Sequence, residues 1–280
     1  MDVSKIYIHE NTKMKYQYQV RKDMSREIPS YLLTTERKIY YFYVTVENTP
    51  ELVERIMEYL EAYDIDAPYG LISTHKNTRN IGLFVDFSRA KISIEECISY
   101  LRKMTGVIEV NYSNPIEDKI IFADIGFPIT TLGGKERAVI FTESWFSMIL
   151  DHIYNKFNTV GLVFLYEAGR GIGLDLGKEY KKFFSSFRNG FIALLKLLKS
   201  LGLADPININ VYRDRIVVSF RDDFEANILF NKVKKENFLN NFNRGILEGF
   251  IEGFIGERYK SRQILFDKRN NVLTIVIAKD

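Results

Sequence analysis

The chain has 280 residues, of which 46% are apolar and 27% charged, and its formal net charge is +3. This size and composition favour a globular chain with room for two domains, and charges interrupt the apolar runs too often to predict a membrane-spanning helix. The single Cys97 excludes an intramolecular disulfide and a cysteine-cluster metal site, and three widely separated histidines make a histidine metal centre unexpected. The first residues lack the layout of a signal peptide, so we expect a cytoplasmic protein.

Residues 38–115 carry the pattern of a small α+β domain. Strands are predicted at 38–46, 69–75, 80–87 and 106–113. One helix is predicted to begin at Pro50, directly after the first strand, and a second behind a capping box formed by Ser93 and Glu96. The order βαββαβ indicates a ferredoxin-like unit with two helices on one face of an antiparallel sheet.

The segments that flank this unit are less regular. Residues 1–37 include a weakly alternating stretch at 14–22, which is compatible with an added edge strand or with an arm. Residues 116–136 contain Pro128 and two adjacent glycines, so their composition is that of a linker with room for one strand.

The pattern from residue 137 to residue 280 predicts a second α+β domain. Helices are predicted at 142–154, 187–203 and, with a break, 223–256. Two strands are predicted on either side of a turn at Arg213-Asp214, and a terminal hairpin is predicted to turn at Asn270-Asn271. The apolar run 160–169 fits either a strand or the start of a buried helix, because periodicity does not separate the two there.

A glycine-rich segment follows that run and invites comparison with a nucleotide-binding loop. Its third glycine, Gly177, stands one residue too late after Gly171 and Gly173 for the G-x-G-x-x-G pattern. Glu179 stands where a phosphate-binding loop needs Ser or Thr. The better interpretation is a junction at which a helix and a neighbouring chain segment approach closely.

No catalytic arrangement of residues can be recognised in the sequence. Cys97 lies on a predicted amphipathic helix, where a small core residue is the expected role. Asp222 and Asp223 match the start of a helix better than acid–base chemistry. We therefore predict no catalytic residues, no cofactor and no enzymatic activity.

One stripe of the last long helix consists of glycines, namely Gly245, Gly249, Gly253 and Gly256. Glu248 and Glu252 recur on another side of the same helix and exclude a membrane dimer. The remaining interpretation is a helix that is buried on most of its circumference and has one flat groove. Such a groove admits either another helix at close range, which we favour, or a ligand.

Three features of the second half together resemble the 4-vinyl reductase domain family over residues 137–280: the runs LYEAGRGIGLDLGKEY and NRGILEGFIEGFIGERY and the terminal NVLTIVI hairpin. That family is similar in fold to the Bet3-type subunits of TRAPP tethering complexes. The resemblance implies an α+β homodimer with an apolar internal cavity that senses small, hydrocarbon-like molecules. Many members carry metal-binding cysteines before the long helix and in the hairpin. Asn240 and Asn241 stand at the first of those places, so we expect no metal.

The run VTVENTPELVERIMEYLEAYDID and the strands around it resemble an ACT-type regulatory domain over residues 38–115. Such domains commonly bind amino acids at the loop after the first strand, here Asn48, Thr49 and Glu51. Glu51 stands where the family usually has a glycine, and its carboxylate would repel that of an amino acid. The resemblance therefore favours a role in assembly or signal transmission.

Together these expectations predict a non-enzymatic sensor that binds a small apolar molecule in its C-terminal domain. The helix after Thr142 is expected to turn Trp145, Met148, Ile149 and Ile153 inward, and His152 is a further candidate for this side. The predicted ligand contacts are Trp145, Ile149, Tyr166, Phe191, Gly245, Gly249, Phe250 and Phe254. The alternatives are a dimeric structural adaptor and a transcription-regulatory partner without a ligand. Nucleic-acid binding is not expected, because no helix-turn-helix or basic stripe is visible.

Overall fold

The computed structural model describes residues 14–15, 28, 30–34, 37–131, 135–212, 214–233 and 240–280. The chain divides into two compact units, one of residues 21–140 and one of residues 1–20 together with 141–280. Both units combine helices with antiparallel sheets, so the predicted α+β class is confirmed. The division after Ile140 lies close to the boundary predicted at residue 137.

The helices and strands follow one another without large gaps in the described residues. Up to residue 137 they are β1 (Met14–Lys15), β2 (Tyr31–Leu33), β3 (Ile39–Glu47), α1 (Pro50–Ala62), β4 (Asp66–His75), β5 (Thr78–Asp86), α2 (Ile94–Lys103), β6 (Val107–Ser113), β7 (Ile120–Phe122), β8 (Thr130–Thr131) and β9 (Glu136–Arg137). From residue 143 they are α3 (Glu143–Phe157), α4 (Thr159–Phe183), α5 (Phe187–Ser200), β10 (Asp205–Val211), β11 (Arg215–Arg221), α6 (Phe224–Val233), α7 (Phe242–Ile255), β12 (Tyr259–Asp267) and β13 (Val272–Lys279).

A four-stranded antiparallel sheet in the order β4-β5-β3-β6 is the centre of the first unit, and the predicted βαββαβ order is confirmed. Helices α1 and α2 bury their apolar stripes in one cluster with this sheet. Ser93 and Glu96 form the predicted capping box of α2. Cys97 is a fully buried core residue, as predicted, and burial raises the pKa of its thiol to about 12.

The one strand for which residues 116–136 have room is present as β7. Strand β7 pairs with β2, and Ile121 on β7 is buried in a small cluster with Ile39, Tyr41 and Phe84. The sequence does not indicate that this strand packs on the first unit, because β7 has only three residues and its partner β2 lies far away in the sequence.

A five-stranded antiparallel sheet in the order β1-β10-β11-β13-β12 forms the base of the second unit. Helices α5, α6 and α7 share one apolar cluster with it. The two predicted hairpins, β10–β11 and β12–β13, are confirmed. Met14–Lys15 forms the edge strand β1, while the remainder of the predicted stretch 14–22 lies outside the described residues.

The ambiguous run 160–169 is helical and belongs to α4, which packs lengthwise against α7 through glycines of both helices. A Cβ atom added to Gly173 would lie 2.1 Å from the backbone oxygen of Ile246, and one added to Gly249 would lie 2.1 Å from that of Arg170. The predicted close approach of two chain segments is therefore confirmed. Gly256 serves another purpose, since it ends α7 with a φ of +89°.

Helix α3 covers most of the predicted range, and Ile153 is half-buried, but the prediction that Trp145, Met148 and Ile149 point inward was wrong. Trp145 is 59% exposed, Met148 66% and Ile149 41%. The helix is described over its whole length and buries Leu150 alone. An apolar stripe on a helix predicts packing against another element, but it does not tell whether that element belongs to the same chain.

In the described part of the chain, no helix is both long enough and apolar enough to span a membrane.

Candidate functional site

Three of the predicted ligand contacts meet in the core of the second unit. Phe191 and Phe250 are fully buried and Phe254 is 7% exposed. The ring centroids of Phe191 and Phe250 lie 6.1 Å apart, and those of Phe250 and Phe254 lie 5.9 Å apart. These rings thus fill the space between α5 and α7 by contacting one another.

The other predicted contacts lie in different places. Gly245 and Gly249 face the backbone of α4, because a Cβ atom on either would lie within 2.2 Å of a carbonyl oxygen of that helix. The groove between these glycines is thus occupied by a helix. Trp145 and Ile149 are exposed on α3, and Tyr166 lies half-buried on α4. The eight predicted residues do not form one site.

Beside the glycines, polar side chains of α4 form hydrogen bonds with two glutamates of α7, Glu248 and Glu252. The hydroxyl of Tyr166 donates a hydrogen bond of 2.6 Å to Oε2 of Glu248. The other oxygen of Glu248 accepts from the backbone nitrogen of Ser261 at 2.9 Å and from its hydroxyl at 2.6 Å. Burial and the adjacent Glu248 raise the pKa of Tyr166. The guanidinium of Arg244 lies 4.8 Å above the Tyr166 ring.

One turn further along, an ion pair joins the same two helices. Nη2 of Arg170 lies 2.5 Å from Oε2 of Glu252, and Nε of Arg258 lies 3.7 Å from the other oxygen of that carboxylate. Because Arg170 is 26% exposed and Glu252 22%, this pair is partly shielded from water. The ion pair fixes both side chains at the mouth of a cleft.

The cleft has a volume of about 310 Å³ and lies between α4, the end of α7 and the start of β12. Its lining residues are Tyr166, Glu167, Arg170, Glu252, Arg258, Tyr259 and Lys260. Two tyrosine rings thus stand beside three cationic and two anionic side chains. Sequence reasoning found only Tyr166 of this set. The missed signal was the helical spacing of Tyr166 and Arg170, which matches that of Glu248 and Glu252.

Tyr166→Phe is expected to lower the free energy of unfolding by about 2 kcal/mol, because it removes a hydrogen bond to a buried carboxylate. Urea unfolding measures this loss. Tyr212→Phe is the matched control: that ring is 38% exposed beside Arg215, so a change within about 0.5 kcal/mol is expected. Equal stability of the two variants would contradict the assigned role of the Tyr166 hydroxyl.

Two buried carboxylates hold the start of α7. Glu225 accepts hydrogen bonds from the backbone nitrogens of Asn241, Phe242 and Asn243 at 2.8–3.2 Å. Asp223 accepts from the backbone nitrogen of Ala226, as predicted for a helix cap, and from the side-chain amides of Asn240 and Asn243. Glu225 therefore supplies the acceptors that the first turn of α7 lacks.

The predicted effector loop of the first unit is exposed, and its asparagine is engaged within the chain. The Asn48 side chain accepts from Nε of Arg79 at 2.7 Å and donates to the backbone oxygen of Lys76 at 3.3 Å. Thr49 and Glu51 are exposed at the start of α1. Asn48 thus ties this loop to the β4–β5 turn.

No protein-family model matches the chain, and no curated protein matches it significantly. Solved structures similar to it include the phenol-responsive sensory domain of the transcription activator PoxR with phenol (TM-score 0.45, 11% identity, 52% of this chain and 78% of that chain). Another is the ACT domain from GTP pyrophosphokinase of Chlorobium tepidum (TM-score 0.24, 14% identity, 28% of this chain and 99% of that chain). A third is the C-terminal domain of the MgtC protein from Mycobacterium tuberculosis (TM-score 0.24, 11% identity, 28% of this chain and 88% of that chain). At these values the similarities support no conclusion about what this chain binds.

Proposed function

We propose that the chain is a non-enzymatic regulatory protein whose second unit binds a small molecule in the cleft beside Tyr166. The observation that supports this is the combination of two tyrosine rings with fixed charged groups in one concave space. The paired helices α4 and α7 support this space, and the Arg170–Glu252 ion pair positions two of its side chains before a ligand arrives. The resemblance to 4-vinyl reductase domains stays a prediction and agrees with a sensing role.

The lining favours a small aromatic acid. A volume of about 310 Å³ is at the lower end of ligand pockets and admits a single ring with its substituents. The rings of Tyr166 and Tyr259 offer apolar faces, and the lining has one cation more than it has anions (three against two). Arg170 is paired with Glu252, and Lys260 with Asp280, which lies outside the lining. A carboxylate on the ligand would therefore pair with Arg258, whose side chain is 71% exposed. This proposal differs from the hydrocarbon-like ligand expected from the resemblance, since the proposed ligand carries an acidic group.

The lining also supports binding over catalysis. None of its seven residues is a serine, cysteine or histidine, so the lining holds no nucleophile–histidine pair. Glu252, at the centre, is engaged by two arginines, which suits it to positioning more than to proton transfer. In this proposal the ACT-like unit serves assembly or signal transmission, because Asn48 in its effector loop is held by Arg79.

Arg258→Ala is expected to weaken the binding of benzoate at least about tenfold, because it removes an exposed cation from the lining. Isothermal titration of the full chain measures this. Arg262→Ala is the matched control: Arg262 is also an exposed arginine near the start of β12 but lies outside the cleft, so unchanged affinity is expected.

Three outcomes would contradict the proposal in different ways. Equal affinities of the two arginine variants would place the ligand elsewhere. Binding of toluene but not benzoate would favour an apolar pocket. No heat with benzoate, phenol or toluene would favour an adaptor without a ligand.

A further inference from the structure

The outer edge of β4 is open to solvent over most of its length. Strand β4 lies at one end of the four-stranded sheet, and no described strand pairs with it on the side away from β5. Every residue from Gly70 to His75 is exposed, although no residue of the neighbouring strand β5 is. The two large apolar side chains of this run, Leu71 and Ile72, are 52% and 54% exposed. The first unit thus presents an apolar strand edge to its surroundings.

This edge lacks the features that usually protect an edge strand from pairing with another chain. Charged side chains, proline and bulges are the common forms of protection. In β4, Pro68 and the bulge between Asp66 and Tyr69 protect only the first residues. From Tyr69 to Thr74 the strand pairs in regular register with β5 and carries no charged residue. This part of β4 is therefore free to accept a further strand.

The other edge strands of the two larger sheets are protected. Strand β12, at the edge of the five-stranded sheet, carries Lys260 and Arg262 and has a shift in its register with β13. Strand β6, at the opposite edge of the β4 sheet, has Glu109 beside a register shift. An unprotected edge promotes aggregation when nothing covers it. The contrast between β4 and these strands indicates that β4 is a binding surface.

The backbone of β4 determines which kind of partner fits. Alternate residues of an edge strand direct N–H and C=O groups outward, and another extended segment pairs with the whole row. Leu71 stands opposite Gly82 and Ile72 opposite Ile81, and successive side chains of a strand point to opposite faces of the sheet. An added strand would therefore contact Leu71 on one face and Ile72 on the other. The segment that fits has two adjacent apolar residues, one for each face.

A second copy of β4 fits this edge less well than a different sequence does. In an antiparallel pair of two identical strands, residues that stand opposite each other lie on the same face of the sheet. A pair centred on Leu71 sets Ile72 against Gly70, and a pair centred on Ile72 sets Leu71 against Ser73. A pair centred on Gly70 brings Pro68, which has no N–H group, into the ladder. Self-pairing within the regular run thus leaves one of the two apolar residues without an apolar neighbour.

We infer that the outer edge of β4 binds an extended segment of a different protein, which adds a fifth strand to the sheet. The segment pairs with the backbone of the run from Tyr69 to His75 and places two adjacent apolar residues beside Leu71 and Ile72. The inference gives the first unit a partner of its own. It goes beyond the proposed function and does not depend on what the cleft binds.

A short fluorescent peptide, in which a central Val-Ile pair is flanked by threonines, tests this inference with the full chain. Fluorescence anisotropy measures its affinity. Ile72→Lys is expected to weaken binding about tenfold or more, because it removes an apolar contact and places a charge at the edge. Ile108→Lys is the matched control: Ile108 is 58% exposed on β6, at the opposite edge of the same sheet, so unchanged affinity is expected. Circular dichroism verifies the fold of both variants.

A second peptide separates strand addition from a general attraction between apolar side chains. It has the same sequence with N-methyl groups on both central residues, so that in either register one lost N–H donor faces β4. Binding about tenfold weaker than that of the first peptide is expected. Equal affinities of the two peptides, or of the two lysine variants, would overturn the inference, as would no binding of the first peptide at about 1 mM. A dimer of the unchanged chain that Ile72→Lys dissociates in sedimentation velocity would also overturn it, because the edge would then belong to a second copy.

Discussion

Gly249→Ala is expected to destabilise the second unit by about 3 kcal/mol, although it adds only one methyl group. The new Cβ atom would lie 2.1 Å from the backbone oxygen of Arg170 and 2.9 Å from the backbone nitrogen of Leu174. Backbone atoms of a helix do not move aside singly, so α4 and α7 would have to separate. Urea unfolding followed by circular dichroism measures the effect.

Gly171→Ala is the matched control for that substitution. It lies on α4, and among the described residues a Cβ atom there meets no atom within 4 Å. Alanine favours a helix interior by about 1 kcal/mol, so a gain in stability is expected. Similar unfolding midpoints for the two alanine variants would contradict the close contact of α4 with α7.

A rise in pH from about 4 to about 8 is expected to lower the free energy of unfolding of the second unit. Burial raises the pKa of Asp223 from 3.8 to about 6, and burial together with the charge of Asp223 raises the pKa of Glu225 from 4.5 to about 7. Between these limits the folded chain binds more protons than the unfolded chain. The stabilisation is therefore complete below about pH 4 and is lost as the pH rises through 6 and 7.

The expected loss is on the order of 3 kcal/mol for each carboxyl. Chemical unfolding at pH 4 and pH 8 measures it, and the double variant Asp223→Asn, Glu225→Gln isolates it from the titration of other groups. The double variant should show a much smaller change between these two pH values. The same change in both proteins would show that the buried carboxyls are not responsible.

The first unit could be predicted from the sequence because each of its elements carries its own local signal. Pro50 marks the start of α1, and the Ser93–Glu96 capping box marks the start of α2. The strands between them are long and rich in β-branched and aromatic residues. Such signals depend on neighbours in sequence, so no tertiary information was needed.

Helix α4 could not be assigned from the sequence, because the side that it buries consists largely of glycine. Its buried residues are Gly161, Leu162, Gly169, Gly173 and Gly177. A search for apolar periodicity finds little in such a helix, since the packed surface is backbone. For the same reason the glycine stripe of α7 could not reveal whether a helix or a ligand faces it.

The cleft escaped sequence reasoning because its parts meet only in the folded chain. Tyr166 and its partner Glu248 are 82 residues apart, as are Arg170 and Glu252. The two glutamates served in the sequence only to exclude a membrane helix. In the folded chain, α4 and α7 lie side by side, and both glutamates accept hydrogen bonds from side chains of α4.

A crystal structure of the protein grown with 4-bromobenzoate tests the central claim most directly, because the anomalous signal of bromine locates the ligand without ambiguity. We expect one bromine peak in the cleft, within contact distance of the ring of Tyr166 or Tyr259 and beside Arg258. A peak among Phe191, Phe250 and Phe254, or no peak at saturating 4-bromobenzoate, would contradict the proposed site.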